Sequence, residues 1–171
     1  MIFHRTANRG NGNKALVFGL VMSHLDYANA IYIGLPQCEI NKLQRVQNIA
    51  AKLVLNASEN SWSCLNKLHW LPIHLRIKHK VLTLLYKSIH GESPTYLADL
   101  IKKEIRTQAG LRSENVTQRL SVPFTRRKTF ASRSYSVVAP MWWNDIPNFI
   151  KSADSTDTFK AKLKTFLYDK F

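Results

Sequence analysis

Residues 71–91, LPIHLRIKHKVLTLLYKSIHG, restrict the fold of this chain more than any other segment. Pro72 suits the first turn of a helix and Gly91 its end, so a helix is predicted between them. A helix that is apolar over well over half of its circumference is stable only when other elements surround it. The sequence therefore predicts a central, buried helix whose apolar residues are Ile73, Leu75, Ile77, Val81, Leu82, Leu84, Leu85, Tyr86 and Ile89.

The part of this helix that is not apolar forms a narrow basic face. Arg76, Lys80 and Lys87 lie within about 40° of one another on a helical projection. Positive charges at positions i and i+4 repel each other by about 0.2–0.5 kcal/mol, and no acidic residue of the segment offsets them. A basic helix face is usually only solvated, but this imbalance favours a role in binding phosphates.

A second predicted helix covers residues 38–55 and has one basic and one apolar side. Lys42, Arg45 and Lys52 fall in an arc of about 80°. Ile49 lies within that arc, either as a small packing contact or as an apolar anchor beside phosphate contacts. The predicted core arc of about 140° contains Ile40, Leu43, Val46, Ala50, Leu53, Val54 and Ala57.

Shorter elements flank these two helices. Residues 1–13 are predicted as a flexible lead-in, and residues 14–32 as a helix that Gly34 and Pro36 end. Further short helices are predicted at 64–68 and 94–101. The expected fold class is mainly α, with a helical bundle over 14–57 and a helical C-terminal lobe over 61–171 that has room for one short β-hairpin.

The C-terminal lobe ends in an aromatic-rich turn and one more helix. Trp142 and Trp143 are adjacent and are expected to have opposite exposure. Trp143 is expected in the core, and one of the two rings is available to stack on a base. Ser155 is the predicted N-cap of the last helix. That helix is expected to bury Phe159, Leu163, Phe166 and Leu167.

Residues 102–133 are the most basic and least regular part of the chain. They contain nine basic residues and two acidic ones. Residues 120–124 predict a short strand, interrupted by Pro123, that pairs with residues 129–130. The strand is followed by a basic cluster of Arg126, Arg127 and Lys128.

The charge of the whole chain indicates a polyanionic partner. Its 171 residues carry a formal charge of +14 and the pI is near 10.0, far beyond what solubility requires. Nucleic acid is the first candidate and an anionic membrane surface the second. Two isolated cysteines favour a reducing compartment, so an intracellular, nuclear or cytoplasmic, location is expected rather than secretion. No apolar run is long enough for a membrane helix.

Neither a metal site nor a catalytic centre is predicted. His74 and His79 are five residues apart, about 140° on a helix, and so cannot share one ion in the way that i, i+4 pairs do. The acidic residues are scattered, and there is no Gly-rich phosphate loop and no pair of metal-binding aspartates. We therefore expect no cofactor and no enzymatic activity.

Seven motifs occur in an order that carries a family resemblance. They are HLDYANAIYIGLP, INKLQRVQ with NIAAKLVL, LHWLPIHLRIKHKVLTLLYKSIHG, SPTYLADLI, VPFTRRKT, RSYSVVAPMWWNDIP and STDTFKAKLKTFL. In this order they resemble the C-terminal part of the reverse transcriptase of LINE-class non-LTR retrotransposons, of the jockey-like or chicken-repeat-like kind. The resemblance covers about residues 14–171. Ala28 departs from it, because this position is usually cysteine in the family.

The resemblance implies a partner and a role. Residues 14–57 are similar to the thumb, the helical lobe that holds the template-primer duplex, and the rest corresponds to the C-terminal extension. RNA or an RNA/DNA hybrid would be bound, and the palm and fingers of the same polyprotein are a further implied partner. The palm carries the catalytic aspartates and is not among these motifs. Two alternatives stay open, namely a co-opted helical protein-interaction module and an inactive remnant.

Overall fold

The computed structural model describes residues 14–101, 119–126 and 133–169. The predicted mainly α fold class is confirmed, since the structure is 71% helical and has no sheet among these residues. A π-helical segment, Phe18–Met22, and a 3-10 turn, Asn29–Tyr32, flank the first α-helix. The α-helices are α1 (Ser23–Asp26), α2 (Gln37–Leu55), α3 (Ser61–Lys67), α4 (Ile73–Ile89), α5 (Thr95–Asp99), α6 (Tyr135–Asn144), α7 (Asn148–Lys151) and α8 (Thr156–Asp169).

The chain divides into two compact units, Met1–Ile77 and Lys78–Phe171, and the division falls within α4. The first unit contains α1, α2 and α3, and α2 packs against both α3 and the π-helical segment. α3 therefore lies in the same compact unit as α2. The predicted separation of a thumb-like region, 14–57, from a C-terminal extension, 61–171, stays a prediction.

The N-terminal helix ends earlier than predicted. Helical residues 14–26 stop at Tyr27, whose ψ of 120° is extended. Ala28 then adopts the left-handed conformation at φ 49°, which residues other than glycine rarely adopt. The expected single helix over 14–32 is thus corrected to a helix and a separate 3-10 turn. The predicted lead-in, residues 1–13, lies outside the described residues.

The buried face of α2 differs from the predicted core arc. Ile40 and Ala50 are buried as expected, but Val46 and Leu53 are 45% and 57% exposed. Their predicted place in the core is wrong. The side chain at the centre of the buried face is Gln47, which is 0% exposed.

Side-chain amides explain why the buried face of α2 differs from the predicted one. Gln47 donates its Nε2 hydrogen to the carbonyl oxygen of Leu71 at 2.9 Å, and the Oε1 of Gln44 accepts from the backbone N–H of Ile73 at 2.9 Å. Gln44 also donates to Gln47 at 3.0 Å. Residues 71–73 lead into α4, where the first N–H groups of a helix have no intrahelical partner. The two glutamines therefore satisfy backbone groups that only a polar side chain of α2 can reach.

In the second unit an aromatic stack forms the core. Tyr86 of α4 stacks on Phe159 of α8 with ring centroids 4.3 Å apart, and Trp143 stacks on Phe159 at 5.9 Å. The Tyr86 hydroxyl donates to the Ala153 carbonyl at 2.6 Å, so the buried tyrosine also has a polar partner. The predicted burial of Trp143 is confirmed, and so is that of the central helix, where Ile73, Ile77, Val81, Leu82, Leu85 and Tyr86 are buried.

The C-terminal helix begins as predicted. Ser155 Oγ accepts a hydrogen bond from the backbone N–H of Thr158 at 3.2 Å, which is an N-cap interaction. Phe159, Leu163 and Leu167 are buried, whereas Phe166 is only half-buried. Leu120 forms an isolated β-bridge, but residues 121–124 form no strand in the described part of the chain. Residues 129–130, the predicted partner, lie outside it.

Replacing Gln47 by methionine is expected to lower the free energy of unfolding by about 1–3 kcal/mol. The substitution keeps the volume but leaves the buried Leu71 carbonyl without a donor. Urea denaturation measures this change. Asn41→Met, at an exposed position of the same helix, is the control and should stay within about 0.5 kcal/mol of the parent protein. Equal effects of the two substitutions would contradict the assigned role of Gln47.

Candidate nucleic-acid interface

Ion pairing leaves a defined set of unpaired cations in the first unit. Residues 14–77 contain six basic and three acidic residues. Each acidic side chain is paired, in Asp26–Arg76, Glu39–Lys42 and Glu59–Lys67, at nitrogen–oxygen distances of 2.9, 2.8 and 2.7 Å. The positive charge in excess, within this range, therefore resides on Lys14, Arg45 and Lys52.

The outer side of α2 carries two of these three cations. Arg45 is exposed and Lys52 half-buried, and neither has a hydrogen bond or ion pair to another described residue. A separation of seven residues places them about 20° apart around the helix and about 10 Å apart along it. Lys42 lies nearby on the same side and is paired with Glu39, but both side chains are largely exposed. Such surface pairs contribute about 0–1 kcal/mol, so Lys42 can exchange its carboxylate for a phosphate.

An apolar strip runs beside these cations. Val46, Ile49 and Leu53 are 45%, 68% and 57% exposed and span about 60° of the helix surface. Ile49 is therefore not a packing contact within the first unit. The outer face of α2 is therefore both basic and apolar, and an anchoring role for Ile49 beside phosphate contacts stays a prediction.

Arg76 is the predicted site residue whose position differs most from expectation. Its Nε and Nη2 donate to both carboxylate oxygens of Asp26, at 3.1 and 2.9 Å, and only 19% of its side chain is exposed. Burial lowers the pKa of Arg76 and the charge of Asp26 opposes that shift. The expectation that no acidic group offsets this face is corrected. Sequence reasoning missed Asp26 because it lies 50 residues earlier in the chain.

Lys80 and Lys87 lie on the part of α4 that belongs to the second unit. Lys80 is exposed and has no hydrogen bond or ion pair to the other described residues. Lys87 is half-buried and close to the N-terminus of α8. The hydrogen bond from Lys160 lowers the pKa of Asp157, and the charge of Lys87 adds a smaller contribution. Lys80 is therefore the more available of the two for an external anion.

The predicted cluster at 126–128 is described only at Arg126, which is exposed. Arg127 and Lys128 lie outside the described residues. The exposed ring of Phe124, 90% accessible, is a candidate functional residue that the sequence analysis missed. The sequence predicted Phe124 to be part of a strand. The three basic residues that follow it in VPFTRRK are the signal that could have marked it as a nucleic-acid-binding aromatic residue.

The adjacent tryptophans differ in exposure, although less than the predicted opposite exposure. Trp143 is 0% exposed, and the ammonium of Lys151 lies 5.8 Å from its ring centroid. Burial lowers the pKa of Lys151, and the nearby charge of Arg119 acts in the same direction. Trp142 is half-buried, and Lys78 Nζ lies 5.7 Å from its ring centroid. The ring of Trp142 thus already has a cation beside it.

The described residues contain no group of three or more His, Cys, Asp or Glu side chains arranged to hold a metal ion. Among the same residues, no helix has the length and apolar character needed to cross a membrane. Comparisons with protein-family models, curated proteins and solved structures found no significant match.

Arg76→Met is expected to lower the free energy of unfolding by about 1–3 kcal/mol, because Asp26 loses a bidentate, charge-assisted partner. Lys80→Met removes one charge from an exposed position of the same helix and should change stability by less than about 0.5 kcal/mol. Urea denaturation of both variants tests the difference. If Arg76→Met were as stable as Lys80→Met, the ion pair would have no structural role.

Proposed function

We propose that this chain is a non-catalytic nucleic-acid-binding fragment of a LINE-class reverse transcriptase. It binds RNA or an RNA/DNA hybrid through Lys42, Arg45 and Lys52 on α2 and through Lys80 on α4. Lys87 and Arg126 to Lys128 are proposed as further phosphate contacts. Arg76, which the sequence had included, is assigned to holding Asp26 instead. The proposal attributes no chemical step to this chain.

One observation carries the proposal. All three acidic residues between 14 and 77 are engaged in ion pairs, and two of the three remaining cations lie on the same side of α2. Intramolecular pairing therefore does not account for Arg45 and Lys52 in the described structure. Fixed positive charges without carboxylate partners are what a phosphate backbone requires.

The binding mechanism is neutralisation of the backbone. Each phosphate that a lysine or arginine contacts releases condensed counterions, and this release makes affinity strongly dependent on salt. Helix-borne cations contact phosphates without reading base edges, so little sequence preference is expected. The ordered family motifs supply the reason to favour RNA and RNA/DNA hybrids over other polyanions.

Binding to an RNA/DNA hybrid should weaken with salt at a log–log slope of roughly −3 to −5, if four to six phosphates are neutralised. Arg45→Gln/Lys52→Gln should reduce the magnitude of this slope by about two, because two phosphate contacts are lost. Fluorescence anisotropy with a labelled hybrid between about 50 and 200 mM salt measures both values.

The control for this experiment is Lys67→Gln/Lys162→Gln, which removes the same net charge from exposed positions outside the proposed surface. It should leave the slope nearly unchanged. A wild-type slope near zero would refute nucleic-acid binding. Equal reductions by the two double variants would show that only net charge matters and would refute the assignment to α2.

The apolar strip on α2 favours a second candidate, a protein-interaction module. A phosphate backbone offers no apolar surface to cover Val46, Ile49 and Leu53, whereas an amphipathic helix does. A second copy of this chain would bring like charges together at Arg45 and Lys52. The partner that fits is a helix with an apolar stripe bordered by aspartate and glutamate.

Ile49→Ser/Leu53→Ser should weaken binding of a designed acidic amphipathic peptide by at least about tenfold, which corresponds to about 1.4 kcal/mol of lost apolar burial. The same variant should bind the RNA/DNA hybrid like the parent protein. Isothermal titration calorimetry with the peptide and anisotropy with the hybrid separate the two candidates. No detectable binding of the peptide to the parent protein would eliminate the second candidate.

A further inference from the structure

Residues 119–126 are held at one point by a side-chain amide. Leu120 is 3% exposed, and its backbone N–H donates to Asn144 Oδ1 at 3.0 Å. Asn144 Nδ2 in turn donates to the Leu120 carbonyl at 2.9 Å. Because α6 carries Asn144, this pair of hydrogen bonds fixes the backbone of a non-helical segment to a helix end. The segment that follows Leu120 therefore starts from a defined position.

Beyond this anchor the segment presents an aromatic ring to solvent. Phe124 is 90% exposed, more than any other large apolar side chain of the described residues. Arg126 lies two residues further on, also exposed, and has no ion pair with the rest of the described chain. No acidic residue occurs between 119 and 126. Two residues of chain span at most about 7 Å, so the Cα atoms of Phe124 and Arg126 lie within that distance of each other.

Charged side chains of both signs lie close to this anchor in the sequence. Asp145 follows Asn144 in sequence, and its charge raises the pKa of Lys151. Burial is the largest influence on that pKa and lowers it, and the charge of Arg119 lowers it further, so Lys151 lies near both charged side chains. The acidic charge of Asp145 thus has a basic neighbour in Lys151, and residues 119–126 themselves carry only basic charges.

We propose that Phe124 is a stacking platform for an unpaired base of single-stranded nucleic acid, with Arg126 contacting an adjacent phosphate. This proposal rests on the proposed nucleic-acid binding and adds a preference for single strands at this segment. Single exposed apolar residues are common and need no partner. What distinguishes Phe124 is an aromatic face next to an unpaired arginine on an anchored segment, which is the combination that single-strand binding proteins use.

Stacking on an aromatic ring also distinguishes a nucleic-acid base from an apolar protein surface as the bound partner. Any base has a π-face that stacks on a phenyl ring, and such stacking tolerates all sequences. A leucine at the same position would bury similar apolar area but could not stack. The occupant can therefore be identified by comparing an aromatic, an aliphatic and a truncated side chain at position 124.

The test uses the full chain, an unstructured 12-nucleotide uridine oligomer and an RNA/DNA hybrid of the same length. Phe124→Ala should weaken binding to the single strand by about 5- to 100-fold and leave binding to the hybrid unchanged. Phe124→Trp should retain single-strand binding, and Phe124→Leu should be as weak as Phe124→Ala. Phe149→Ala, at a position 60% exposed on α7, is the control and should bind like the parent protein.

Several results would overturn the proposal. Unchanged single-strand binding by Phe124→Ala would refute stacking, and parent-like binding by Phe124→Leu would indicate an apolar contact such as a protein surface. A parent protein that binds the hybrid but not the single strand would refute this inference alone. A parent protein that binds neither would refute the proposed function as well. Because Phe124 is exposed, all variants should show the parent's thermal unfolding midpoint, which circular dichroism checks.

Discussion

The side chain of Gln47 is fully buried where α2 meets the residues that lead into α4, and the surface of the first unit follows from that contact. Its amide satisfies the Leu71 carbonyl, and Gln44 beside it satisfies the N–H of Ile73. Polar groups buried without partners cost more than a few methyl groups left in water. The face with the two glutamines is therefore buried, and the face with Val46, Ile49 and Leu53 is left outside with Arg45 and Lys52.

Side-chain amides perform a similar task in the second unit. Asn144 pairs with both backbone groups of Leu120, as the glutamines of α2 do for residues 71–73. In each unit, side-chain amides supply a donor and an acceptor to the backbone of a non-helical segment. The stack of Tyr86, Phe159 and Trp143 provides apolar burial in the second unit, while Asn144 sets where the basic segment begins.

The arrangement of charges connects this architecture to the proposed function. A net charge of +14 could be spread evenly over a surface, but the first unit concentrates its excess through pairing. Arg76 forms an ion pair with Asp26, and Lys67 forms one with Glu59. Arg45 and Lys52, on the outer face of α2, form no ion pair with another described residue. Nucleic-acid binding and docking of an acidic helix draw on neighbouring parts of that face, the cations and the apolar strip respectively.

The long helices and their ends were predictable, because periodicity and local signals such as Gly91 and Ser155 act over a few residues. α4 was correctly predicted as the buried central helix for the same reason. The orientation of α2 was not predictable, since hydrophobic patterning ranks Val46 and Leu53 above Gln47 and cannot include the backbone groups of residues 71–73. Arg76 was predicted as a free cation because Asp26 approaches it only in the folded chain.

The sequence by itself determined the helical class, the buried central helix and an excess of positive charge. Tertiary structure alone decided which cations remain available and which apolar residues reach solvent, including Phe124. The physical reason is that pairing and burial depend on contacts between residues far apart in the chain. For Gln47 and Leu71 that separation is 24 residues, and for Asp26 and Arg76 it is 50.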